Sequence, residues 1–129
     1  MLNLAKIVEK EILNFKPNVI LTHSATDVHI DHQRTFQATL QATRPSSNNN
    51  VEQLLSFEIL SATEKNFVKE FLPNYFIQID QESLKRKLNA MKCYKTEIAK
   101  YPFSRSLANI KNLAMYRGAQ SGNYFAEAF

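Results

Sequence analysis

The sequence holds two glycines in 129 residues, Gly118 and Gly122. Phosphate-cradling loops and dinucleotide fingerprints both need several closely spaced glycines, so nucleotide-binding enzymes of those two types are excluded. There is one cysteine, Cys93, which can form no intramolecular disulfide and no thiolate metal cage. No apolar run approaches the roughly 18 residues of a membrane-spanning helix. The opening MLNLAKIVEKEILNFK interleaves charges with apolar residues instead of forming the unbroken apolar stretch of a secretion signal. These absences lead to the expectation of a soluble, cytoplasmic chain without a transmembrane segment.

What is present is ordinary globular composition, 44% hydrophobic and 22% charged, enough for one domain around one core. The net charge of +4 comes from 16 Lys and Arg against 12 Asp and Glu. That excess suits a phosphorylated substrate or an anionic headgroup and is too weak to argue for nucleic acid. The run Lys85, Arg86, Lys87, Lys92, Lys95 and Lys100 reads as a solvated helix face.

Periodicity organises the chain. Leu4, Ile7, Val8 and Ile12 mark an amphipathic helix over residues 3–15, closed by Pro17. Asn18 to Thr22, an apolar run rich in β-branched residues, reads as a buried strand. After a polar loop, a second helix with Phe36 and Leu40 runs from Asp31 to before Pro45, and SSNNN at 46–50 reads as a surface loop. Strands are expected at Leu54 to Leu60 and Tyr75 to Ile79. A helix capped by Asp80 should follow, reaching toward Ile98, then a last helix capped by Ser104 and ending near Gly118. Cys93 reads as a small core residue on the third helix, and Phe125 and Phe129 as core in an apolar tail. The helix and strand alternation predicts a Rossmann-like three-layer α/β fold with an incomplete sheet, in which an edge or an apolar face is left exposed.

The residues able to carry chemistry cluster after the first strand. His23, Asp27, His29, Asp31 and His32 fall within one short loop and the start of the next helix, and ligands of open α/β sheets bind beyond the carboxyl ends of the strands. Imidazole and carboxylate suit zinc or a similar divalent ion. The bland alternative is a set of surface histidines with Asp31 as a helix N-cap. Spacing alone leaves both readings open, because H-x-x-H is far less specific than H-E-x-x-H.

The segment KPNVILTHSATDVHIDHQRTFQATLQATRP resembles the second signature region of the PIG-L/LmbE family of metal-dependent N-deacetylases. EILSAT, FLPNYFIQID, KLNAMKCYKTEI and the closing NLAMYRGAQSGNYFAEAF resemble later landmarks of that family in the same order, so the resemblance spans nearly the whole chain. It implies zinc-dependent hydrolysis of an N-acetyl group from an N-acetylglucosamine-type sugar or conjugate, phosphorylated or lipid-linked. It also implies roles by position: His32 as a zinc ligand, His29 as the group that stabilises the tetrahedral intermediate or protonates the leaving amine, and Asp31 as the partner that keeps His29 charged. A cationic imidazole can stabilise oxyanion charge, and an adjacent carboxylate raises its pKa.

The family's first signature, A-H-P-D-D-E, which supplies a second histidine, a ligating aspartate and the general base, has no counterpart in the sequence. Residues 1–129 are therefore expected to form a single domain equivalent to the C-terminal part of such a deacetylase. Alone, the chain should hold zinc weakly or not at all and be inactive, with an N-terminal complementary chain or self-association as its protein partner. His23 and Asp27 are the only other ligand-type side chains in the loop. The alternative is a non-catalytic binding or assembly module, or a truncated remnant that keeps the fold.

Overall fold

The computed structural model describes residues 2–45 and 49–129, so most of the expected 46–50 loop lies outside the described residues. The elements are α1 (Leu2–Phe15), β1 (Val19–His23), α2 (Ile30–Ala42), β2 (Gln53–Phe57), a 3-10 turn at Thr63–Lys65, β3 (Phe76–Gln78), α3 (Gln81–Lys92), α4 (Leu107–Ser121) and β4 (Ala126–Ala128). This is a mixed α/β fold with small sheets. Its contacts divide it into two compact units, one reaching to Phe71 and the other running from Leu72 to Phe129. Among the described residues no helix is long and apolar enough to cross a membrane.

In the first unit, α1 packs on α2, and α2 on β1. The buried line of α1 is Ala5, Val8 (half-buried) and Ile12, while Ile7, expected on the same face, is 59% exposed. The apolar arc of the helix is wider than the stripe that α2 covers. Lys16 adopts left-handed backbone, φ 53°, and with Pro17 it stops the helix. β1 and β2 pair in parallel, Val19 opposite Gln53 through His23 opposite Phe57. Alternation along β1 puts Ile20 and Thr22 on one face and Val19, Leu21 and His23 on the other. Thr22 is buried and its hydroxyl donates to Thr39 on α2 at 3.3 Å. Val19 and Leu21 remain exposed, and among the described residues β1 has a strand partner only in β2. Parallel strands are ordinarily covered on both faces, so the expected bare apolar surface is present.

In the second unit, β3 and β4 pair antiparallel, Phe76 opposite Ala128 and Gln78 opposite Ala126. β4 lies within the segment read from sequence only as an apolar tail. Here Ala126 and Ala128 are buried, while Phe125 and Phe129 are half-buried. Asp80 caps α3 as expected, accepting from the Ser83 N–H at 2.7 Å; that backbone bond, with a further one from the Ser83 side chain, holds its carboxyl below the ordinary value. The helix stops at Lys92 rather than nearing Ile98, and Cys93 caps it in an exposed position rather than joining the core. Leu84 is the buried residue of α3, so little apolar surface is available to carry the helix further.

Two expectations for α4 are corrected. Its N-cap is Ser106, not Ser104, with the hydroxyl accepting from the Asn109 N–H at 3.2 Å, and its C-cap is Gly122, not Gly118. Gly122 has φ 72°, the left-handed conformation that favours glycine after a helix. Gly118 is instead needed for close approach: a Cβ there would lie 2.7 Å from the Tyr124 carbonyl group and 2.8 Å from the Asn123 oxygen. Because those atoms belong to the backbone leading into β4, Gly118→Ala should cost about 1–3 kcal/mol, the usual range for overpacking. Urea unfolding of the variant checks this; an unchanged midpoint would mean that α4 and the 123–124 turn are not in contact.

Candidate functional site

The loop between β1 and α2 is built around one carboxyl group. The Ser24 and Thr26 hydroxyls are 2.8 Å apart, Ser24 Oγ accepts from the Thr26 N–H at 3.1 Å, and the Asp27 N–H reaches the Ser24 carbonyl at 3.3 Å. This folds Asp27 inward until its side chain has no solvent exposure, the largest side chain so buried among the described residues. A carboxyl group is buried only where donors surround it, and here three do. Oδ1 accepts from the His29 N–H at 2.8 Å, while Oδ2 meets His32 Nδ1 at 2.9 Å and the Thr63 hydroxyl at 3.2 Å. Thr63 is itself buried and accepts from the Ile59 N–H at 2.7 Å. Gln33 and Asn66 clamp the same loop, donating to the carbonyls of Asp27 at 2.6 Å and Thr26 at 2.8 Å.

An ionised Asp27 can only accept, so its contact with His32 Nδ1 uses a proton on that nitrogen and turns Nε2 away from the carboxyl. That is the arrangement in which carboxylates orient metal-binding histidines. The three rings form a stack with His32 in the middle, 4.0 Å from His23 and nearly parallel to it at 2°, and 4.5 Å from His29 at 26°. Phe57, beside His23 on β2, closes the far end with a centroid distance of 5.1 Å. The Nδ1 of His23 is buried without a hydrogen-bond partner. Burial first, then the neighbouring His32, holds this imidazole below its ordinary value of 6.5, against an opposing pull from Asp27 and with a smaller downward push from His29.

All five residues singled out in the sequence therefore lie at the carboxyl end of β1, but their roles are distributed differently. Asp31 neither caps α2 nor pairs with the His29 ring. His29 is the N-cap, and its Nδ1 accepts from the Asp31 backbone N–H at 3.3 Å. The Asp31 carboxylate sits in the first turn, 71% exposed, 3.7 Å from Arg34, where the helix dipole favours it. One residue inside the cap, its side chain is directed outward along the helix surface. The carboxyl that meets a histidine is Asp27, and Thr63, 36 residues away, completes it.

The resemblance implies zinc, and the residues present do not make up a zinc site by themselves. Among the described residues no group of three or more His, Cys, Asp or Glu side chains is arranged to hold a metal. A zinc ligand set must converge at about 2.0–2.1 Å per nitrogen.

No protein-family model matches the chain, and no curated protein matches it. Among solved structures it is similar to the crystal structure of the conserved protein TT1542 from Thermus thermophilus, with a TM-score of 0.75 and 16% sequence identity. The likeness is one of fold. It covers 98% of this chain and 57% of that one, so the present chain spans little more than half of its neighbour's length.

Removing a partner from a buried charged cluster strands the others, so Asp27→Ala should lower the unfolding free energy by about 3 kcal/mol or more. Asp31→Ala should stay within about 0.5 kcal/mol, as surface changes do. Equal effects in denaturant titrations would contradict the assignment of Asp27 as the organising carboxyl. Acid supplies a further check. A histidine held below 6.5 in the folded state binds fewer protons than in the unfolded chain, so its contribution is complete above that value and lost as pH falls below it. The urea midpoint should therefore drop from pH 7 to pH 5, and His23→Phe should flatten the drop; an identical pH profile in the variant would refute the burial of the His23 Nδ1.

Proposed function

We propose that this chain is the C-terminal part of a Rossmann-like three-layer N-deacetylase domain of the PIG-L/LmbE type. The whole protein would use zinc or a similar divalent ion to hydrolyse an N-acetyl group on an N-acetylglucosamine-type sugar or conjugate, releasing acetate and a free amine. The observation that carries this reading is the His32–Asp27 pair at the carboxyl end of a parallel strand, where an imidazole is pre-oriented by a fully buried carboxyl group. Such an arrangement costs desolvation that a surface histidine would not incur. His29 stands beside it, one end of its ring stacked on His32 and its backbone tied to Asp27.

Within this chain the contribution is to hold His32 and His29 in register. The remaining ligands and the general base would come from a parallel strand added to the open edge of β1, next to the exposed Val19 and Leu21. The coverage of only 57% of the structural neighbour fits a fold that other segments complete. A second reading, a non-catalytic binding or assembly module, is favoured by the lack of a three-ligand group among the described residues.

The test begins with the reading frame directly upstream of this chain's gene. The deacetylase reading expects it to encode an A-H-P-D-D-E segment. Co-expression of the two polypeptides with zinc should then release acetate from an N-acetylglucosamine conjugate, and His32→Ala should abolish the release. The chain alone should bind zinc weakly in calorimetry and release none. An upstream frame without that segment, or release indifferent to His32→Ala, would favour the binding module.

A further inference from the structure

A cavity of about 380 Å³ lies within the first unit, between α2 and the turn that follows the 3-10 helix, with Ala25, Gln33, Phe36, Gln37, Asn66 and Lys69 in its walls. Its volume is within the roughly 300–1,000 Å³ range of small-ligand sites. The walls divide by chemistry. Gln33 and Asn66 are fixed: each donates its amide to the 24–27 loop, and Asn66 Oδ1 also accepts from the N–H groups of Val68 and Lys69 at 3.1 and 3.0 Å. The side chains of Gln37 and Lys69 have no hydrogen-bond or ion-pair partner among the described residues. Phe36, half-buried, supplies the apolar wall. Two fixed amides thus shape the space, while a free amide and a free ammonium line it.

We propose that this cavity binds a sugar phosphate. An amide such as Gln37 offers both a donor and an acceptor to vicinal hydroxyls, the Phe36 ring offers a surface for the C–H face of a pyranose, and Lys69 is a point charge suited to a phosphate. The position is as informative as the lining. Gln33 follows His32 directly and donates its backbone N–H to the His29 carbonyl at 3.1 Å, so one wall of the cavity belongs to the same helical turn that carries two of the stacked histidines. The choice of an N-acetylated sugar as probe rests on the deacetylase reading, but binding is measured without metal or turnover.

The experiment is a titration of the 129-residue chain with N-acetylglucosamine 1-phosphate, N-acetylglucosamine and inorganic phosphate, followed by the side-chain amide signals of Gln33 and Gln37 in nitrogen-15 correlation spectra. The sugar phosphate should bind more tightly than either fragment and shift both signals. Lys69→Gln should weaken the sugar phosphate about tenfold, the loss expected for one charge-assisted hydrogen bond, and leave the unphosphorylated sugar unaffected. Gln37→Leu should weaken both sugars. Phosphate binding as tightly as the sugar phosphate, no shift at Gln37, or an unchanged affinity in Lys69→Gln would each overturn the proposal. If the sugar phosphate binds as described while the co-expressed pair releases no acetate, the cavity stands and the deacetylase reading falls; acetate release without binding at Gln37 would be the reverse.

Discussion

The buried carboxyl of Asp27 is the constraint on which the rest of the first unit depends. Its two oxygens gather a backbone N–H from the start of α2, a ring nitrogen from the first turn of that helix and a hydroxyl from the turn at Thr63. These groups come from two separate places in the chain, the start of α2 and the turn at Thr63. A carboxyl in that position cannot lose a donor cheaply, because what remains is an uncompensated polar group away from water. The geometry of the loop is therefore determined by a single acid.

From that acid the site follows in order. The Nδ1 contact orients the His32 ring, the stack settles where His23 and His29 lie relative to it, and burial, with His32 beside it, disfavours charge on His23. The same loop carbonyls engage Gln33 and Asn66, which form part of the neighbouring cavity. Catalytic chemistry and ligand selection, as proposed, thus share one scaffold. The open face of β1, with Val19 and Leu21 in solvent, stands next to it, and the cost of that exposure is what a layer packed on that face would relieve.

Much of the framework was legible along the chain. Amphipathic spacing, Pro17, the β-branched run of β1 and the Asp80 cap are signals read over a few residues, and the corresponding elements formed within a residue or two of expectation. The misplacements occurred at termini: Ser106 and Gly122 took the cap positions expected of Ser104 and Gly118, and α3 ended early. Caps are chosen by which neighbouring backbone groups are left unpaired, and several polar residues near a helix end qualify equally until packing decides. Gly118 has its own reason for being glycine, and that reason is the chain returning at Asn123 and Tyr124.

By itself the sequence determined the order of helices and strands as far as α4 and the crowding of His23, Asp27, His29, Asp31 and His32 after β1, because both are properties of local spacing. Only the tertiary structure decided which aspartate does the organising. Asp31 stands between His29 and His32 yet lies along a helix surface beside Arg34, whereas Asp27, outside that stretch, turns inward and is met by Thr63 from 36 residues away. Hydrogen bonds of that span have no periodicity to betray them. They exist because burial leaves a carboxyl group no water to turn to, and the fold must bring it donors from wherever in the chain they lie.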